Sequence, residues 1–432
     1  MSKPILKDLP ELIAANVINE ETAQRIRAFY QQKEEHEPNR LVIVFGILGA
    51  LLVGLGIILI IAHNWDTLGK VPKIGIALLP LLVGQAVAAF VLFEKSDSTA
   101  WREGAAAFLF LAIAASISIV SQVYNIEGTL HGFLFLWMVL ALPVIYTLRS
   151  SLASLLYIVG ITWYACELSY FHYPTATAWW YWLLLALVLP HYYRLYIVRI
   201  QSNFFAFHSW FIALSVTTVL GMFGNMLDEL TVALYINVFC IFILIGQIEK
   251  IRERRLIANG FLVGGSLGLI SLLLFLSFEW FWQDVFDVRV DHVDLLHAYP
   301  YWVAFAIAIV LLVVLGVRQS FISLNVKSYA FIIVLILLLV SLQSPVLARV
   351  LDNILLFAFG VFTIRDGAQQ NKLSLLNYGL LILTGLIICR FFDLDMSFVA
   401  RGLLFVLVGA GFFAANIWMV KKRKQEQKAQ QL

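Results

Sequence analysis

From Leu41 to Val420 one pattern repeats, and it constrains the chain more than any other feature. Runs of about twenty apolar residues, nearly free of charge, alternate with short polar breaks. At a rise of about 1.5 Å per residue, such a run spans the roughly 30 Å hydrocarbon layer of a bilayer as one helix. Inside that layer every backbone N–H and C=O must pair within the protein, so the runs predict helices and not open sheets. The composition agrees: of 432 residues 61% are hydrophobic and 13% charged, whereas soluble domains have about 45–50% and 25%. A soluble enzyme, a nucleic-acid binder and a disordered scaffold are therefore excluded, and a net charge of +3 gives no reason to expect a nucleic-acid partner.

Hydropathy places fourteen spans, at 41–63, 71–93, 104–123, 131–148, 151–170, 177–198, 203–224, 230–248, 256–278, 298–317, 326–342, 346–364, 373–391 and 398–420. The fold class expected is all-α, a polytopic transmembrane bundle. With the amino terminus in the cytoplasm, 24 of the 30 Lys and Arg residues fall in inside segments. The six outside are Lys70, Lys73, Arg289, Arg349, Arg390 and Arg401. This bias is the positive-inside rule, and it puts both termini in the cytoplasm. Trp65, Trp179, Trp180, Trp182, Trp280, Trp282, Trp302 and Trp418 fall near span ends, where an interfacial aromatic belt belongs.

Residues 1–40 are polar and read as a cytoplasmic helical hairpin. Its first helix is expected from about Asp8 to Asn16; the second starts after Asn19, a good N-cap followed by Glu20 and Glu21. No targeting peptide is read there, because the first apolar run lacks a small-residue cleavage site. The expected division is a hairpin over 1–40, a bundle over 41–420 and a basic tail over 421–432. Cys166, Cys240 and Cys389 each lie in an apolar run and suggest neither disulfides nor a metal site. Small-residue stripes, Gly46, Ala50 and Gly54 in the first span and Gly260, Gly264 and Gly268 in the ninth, are expected to be helix-packing faces.

Several segments resemble a bacterial family of predicted membrane proteins, domain of unknown function 2157. They are the polar two-helix start, Ile61 to Asp66 (Ile-Ala-His-Asn-Trp-Asp), Ser121 to Asn125 (Ser-Gln-Val-Tyr-Asn) and Leu136 to Ser150. Cys389 to Asp393 and Ala400 to Phe405 are similar to what such proteins carry. The resemblance implies the bacterial inner membrane and brings no activity.

Polar groups in or beside spans are costly to insert and so are the candidate functional residues. Arg349, Arg390 and Arg401 end three successive late spans on the outer side, where guanidiniums are suited to capture phosphate or carboxylate. The competing explanation is internal pairing, with Asp352 three residues after Arg349 and with Asp393 and Asp395 near Arg390. His63, Asn64 and Asp66 close the first span on the side where Gln122, Tyr124, Asn125 and Glu127 fall, either as a cavity mouth or as a capped helix end. Glu167 is a carboxylate within an aromatic run, suited to proton-coupled transport or simply solvated at the boundary. Asp291, His292, Asp294 and His297 match no metal-ligand spacing, and His191 to Arg194 after Pro190 read as a kinked helix end whose polar tips reach the interface.

No nucleotide loop, nucleophile elbow, HExxH or haem motif is present, so no cofactor or metal is expected and enzyme activity is disfavoured. The leading expectation is transport or flipping of a small or amphipathic anionic solute or lipid head group. The alternatives are a non-transporting platform or sensor that binds a cytoplasmic protein through residues 8–30, and an intramembrane glycosyl- or acyl-transferase.

Overall fold

The computed structural model describes residues 3–15, 17–27, 65–171, 178–227, 230–279, 282, 298–321, 324–370, 372–393 and scattered positions between 399 and 417. The chain divides into two compact units, Met1–Ile76 and Ala77–Leu432. Among the described residues there are helices and no strands.

In the first unit α1 runs Lys3–Ala14, starting earlier than the expected Asp8. Pro4 lies in its first turn, where a missing N–H leaves no bond unmade. A second helical stretch covers 20–27, and the Asn19 side chain accepts from the Thr22 N–H at 2.9 Å, as an N-cap does. Leu9 and Ala23 are buried, one from each stretch. The first span expected at 41–63, with Gly46, Ala50, Gly54, His63 and Asn64, lies outside the described residues.

The helices that follow are α2 Lys70–Glu94, α3 Thr99–Tyr124, α4 Leu130–Thr147, α5 Ser151–Cys166, α6 Trp180–Val198 and α7 Asn203–Val219. Then come α8 Leu230–Gly246, α9 Gly260–Leu276, α10 Tyr299–Gln319, α11 Ala330–Ser341, α12 Pro345–Gln369 and α13 Leu373–Asp393. A π-helical turn, Glu167–Phe171, extends α5, and 3-10 turns extend α7 and precede α11. Each corresponds to one expected span. Among the described residues nine helices are long and apolar enough to cross a membrane, and Leu230–Gly246, Gly260–Leu276 and Val326–Ser341 are shorter apolar helices. The chain is therefore a membrane protein with several candidate transmembrane helices.

Local chemistry fixes where the helices begin. Thr129, Ser150, Ser202, Asn259 and Ser344 each accept a hydrogen bond from the backbone N–H three residues on, and Pro345 follows Ser344 at the first helical position. The start of α5 gains a second acceptor: the Glu103 carboxylate of α3 takes the N–H of Ser151 at 3.0 Å, the N–H of Leu152 at 2.7 Å and the Ser150 hydroxyl at 2.5 Å. An anion there meets the positive end of the helix dipole.

In the core α8 packs against α9, α10 and α11; α5 packs against α3, α4, α6 and α7; and α12 lies along α13. Buried positions run right round α8, from Leu234 and Ile236 to Asn237 and Phe239. On α2 and α10, by contrast, Leu79, Leu82, Val310 and Val317 are exposed, as lipid-facing positions are. Close approach depends on glycine. A Cβ on Gly265 would stand 2.7 Å from the Phe239 carbonyl oxygen and 2.9 Å from the Phe242 Cβ, whereas one on Gly264 would meet only Ala213 at 3.8 Å. The expected stripe serves two neighbours: Gly260 abuts Trp210 of α7, and Gly268 lies against the Phe239 ring of α8.

Gly265→Ala is expected to cost about 1–3 kcal/mol by overpacking, whereas Gly264→Ala is tolerated. Thermal unfolding of the purified protein in detergent checks the pair, and equal midpoints would contradict the packing described.

Candidate functional site

Charged side chains meet inside the bundle where the end of α9, the start of α12 and the end of α13 come together. The last four carbonyls of an α-helix lack intrahelical donors and carry the negative end of its dipole. At α9 the Arg390 guanidinium supplies donors. Its Nη2 donates to the Ser277 carbonyl and, at 3.2 Å, to the Ser277 hydroxyl, and the group lies 5.7 Å from the centre of the Phe278 ring. The Asn353 amide donates to the same carbonyl at 3.3 Å and to the Arg349 carbonyl at 2.8 Å.

Arg349 forms an ion pair with Glu279, just beyond α9. This corrects the pairing considered from sequence, in which Asp352 was its partner. Asp352 points elsewhere: it is 0% exposed, and among the described residues neither of its carboxylate oxygens has a hydrogen-bond partner. Arg390 is the cation that acts on it electrostatically. Asn353 Oδ1 is likewise buried without a hydrogen-bond partner among those residues. Two guanidiniums and two acids thus gather here, and two acceptor groups have no hydrogen-bond partner among the described residues.

Of the other expected site residues, Arg401 lies outside the described residues, and Asp393 ends α13 with its side chain undescribed. Asp395 and the loop bearing Asp291, His292, Asp294 and His297 also lie outside them. Asp66 is exposed in a 3-10 turn, Trp65–Thr67, whose Trp65 ring has the Lys73 ammonium 5.0 Å from its centre. Glu167 is half-buried where α5 passes into its π-helical turn.

Gln122, Asn125 and Glu127 are brought together, with Ser121 and Thr129, around a cavity of about 1000 Å³ at the α3–α4 turn. Asn125 turns the chain there with φ 50°, and Ile117, Phe133 and Leu136 continue the cavity as apolar wall.

Two groups escaped the sequence reading. Glu279 follows directly on the span expected at 256–278, with nothing local to mark it as the partner of Arg349, seventy residues later. His191 was read as part of a kinked helix end, yet α6 runs through Pro190 to Val198 and buries His191. Tyr193 alone of its neighbouring tyrosines fits the earlier reading, being 62% exposed.

A double-mutant cycle is expected to give about 1 kcal/mol of coupling between Arg349→Gln and Glu279→Gln, read from unfolding in detergent. Purely additive effects would show that the ion pair contributes nothing to stability.

No curated protein and no solved structure matches the chain. The one family assignment comes from residues 10–154, which contain Glu103 and the α3–α4 cavity but stop short of Arg349, Asp352 and Arg390. Over that segment the chain matches the family described as Predicted membrane protein (DUF2157), the family its sequence resembles.

Proposed function

We propose that the chain is a membrane carrier for a small or amphipathic anionic solute, with Arg349 and Arg390 as its anion contacts. The observation that carries this reading is Asp352. A carboxylate enclosed within a span, with no donor to either oxygen among the described residues, costs several kcal/mol to hold there, and ionisable groups at such positions mark solute and ion pathways. An apolar residue would pack at lower cost. What Asp352 provides is an ionisable group on which Arg390 acts and which no hydrogen bond among the described residues holds in place.

The chemistry follows from exchange. In the arrangement described, Glu279 pairs with Arg349, and Asp352 is the acid on which Arg390 acts. An incoming phosphate or carboxylate presents the same charge with better geometry, because each guanidinium offers paired N–H donors that match two oxygens at once. The solute then takes the place of an internal acid beside a guanidinium, so that cation keeps an acid partner, which limits the desolvation cost. By the distribution of basic residues this end of the bundle faces outward from a bacterial inner membrane, with both termini in the cytoplasm.

The test is reconstitution into liposomes, following uptake of labelled inorganic phosphate in one arm and flipping of fluorescent phosphatidylglycerol in the other. Arg390→Gln is expected to lower the rate about 10- to 100-fold, the loss of one charged hydrogen-bonding group, with the yield of folded protein unchanged. Rates equal to those of empty liposomes for both probes, with wild-type protein shown to be folded, would overturn the reading.

A further inference from the structure

A second group of buried polar side chains lies far along the same bundle, where α5, α6 and α7 pack beneath the turn capped by Glu103. His191 of α6 is 6% exposed and His208 of α7 is 0% exposed, and their ring centres are 5.7 Å apart. Two serines of α5 join them. The Ser151 hydroxyl lies 3.5 Å from His191 Nε2, and the Ser154 hydroxyl lies 2.9 Å from His208 Nε2. The state of His208 follows from its partners. Its Nδ1 is 2.7 Å from the Phe204 carbonyl, which only accepts, so Nδ1 carries the hydrogen and Nε2 accepts from Ser154.

This arrangement is prepared for one more proton. A proton arriving at His208 Nε2 needs an acceptor, and the Ser154 hydroxyl supplies one by turning about its C–O bond. The bond to Phe204 is kept, and nothing else has to break. The Glu103 carboxylate, half-buried and engaged by Ser150, Ser151 and Leu152, provides the balancing negative charge. The other titratable or charged groups around the pair are Tyr146 of α4, Tyr157 of α5, and Tyr192 and Arg194 of α6, with Arg254 acting on Tyr192. Two of these tyrosines are held by backbone carbonyls, Tyr146 by Leu187 and Tyr157 by Leu184, and Tyr192 stacks on Phe205 and His208. None competes for the added proton. A second proton on the pair would set two cations against each other at that ring separation, weakening its binding on the order of a hundredfold.

We propose that His191 and His208 form one proton-binding site, which takes a single proton between them from water on the Glu103 side and balances it with Glu103. The site gives the bundle a proton as coupling ion, and it stands whether or not Arg349 and Arg390 bind an anion. Histidines placed within spans and linked by hydroxyls are the kind of group by which membrane pumps handle protons.

The test is nitrogen NMR of histidine-labelled protein in lipid nanodiscs, titrated from about pH 8 to about pH 4, a range that brackets an ordinary imidazole. His191→Gln and His208→Gln assign the two rings among the eight histidines of the chain. The expected result is the neutral Nδ1–H form of His208 at high pH and uptake of one proton by the wild-type pair. Each single variant takes up one proton on its remaining ring, and Glu103→Gln weakens uptake by about tenfold. Uptake of two independent protons, of none, or uptake indifferent to Glu103→Gln would overturn the proposal. Where Glu103→Gln fails to fold, the wild-type titration still separates uptake of one proton from uptake of two or of none.

Discussion

A polar group inside a hydrocarbon layer has no water to turn to, and most of this structure follows from that constraint. Within the bundle, hydroxyls find carbonyls or one another: Ser116 donates to the Ala77 carbonyl at 2.6 Å, and Ser215 is shared by Thr162 at 2.6 Å and Tyr181 at 2.8 Å. The Gln247 amide reaches Ser328 at 2.5 Å and accepts from the Asn325 N–H at 2.6 Å, joining the end of α8 to the start of α11. Even the Lys327 ammonium, in a residue only 2% exposed, lies 4.4 Å from the centre of the Tyr378 ring. Other buried polar atoms, among them the Thr231 and Tyr192 hydroxyls, also have no hydrogen-bond partner among the described residues, but Asp352 is the acid there with both oxygens in that position.

The two polar centres differ in what they hold ready. At the end of α9, Arg390 and Asn353 converge on one carbonyl, and the ion pair of Arg349 with Glu279 lies beside them; in the proposed carrier these cations exchange an internal acid for the solute. At the start of α5 the groups are two imidazoles and three serines, which the proposal has sharing one proton. Both use the ends of helices, where unpaired backbone groups and the dipole already favour ions. A carrier needs a place for its solute and a place for its driving ion, and these two centres are separate in the chain.

The fold was legible in the sequence because its signal is one-dimensional. Hydropathy needs no knowledge of neighbours, and the spans expected from 71–93 to 373–391 each became a helix of the structure. Caps such as Thr129, Ser150 and Ser344 lie at the starts of runs that hydropathy had already marked. The sites were less legible, since partners come from different spans. Arg349 and Arg390 were singled out by opposing the positive-inside bias, yet Glu279 carried no such mark. The i,i+3 spacing of Arg349 and Asp352 suggested a pairing that rotation about the helix does not deliver. His191 was hidden by Pro190, which suggested a broken helix end; neighbouring helices hold α6 together through that proline. No periodicity in a uniformly apolar helix reveals which face meets His208.

The central claim is that water and solute reach the Asp352–Arg390 group inside the bundle. The direct measurement places a single thiol there, Asn353→Cys with Cys166, Cys240 and Cys389 replaced by Ala, and follows its reaction with a membrane-impermeant thiol reagent in sealed vesicles. The account predicts reaction from one side of the membrane only, slowed by added inorganic phosphate. A folded protein whose thiol stays unreactive from both sides would mean a dry, closed bundle and would contradict the account.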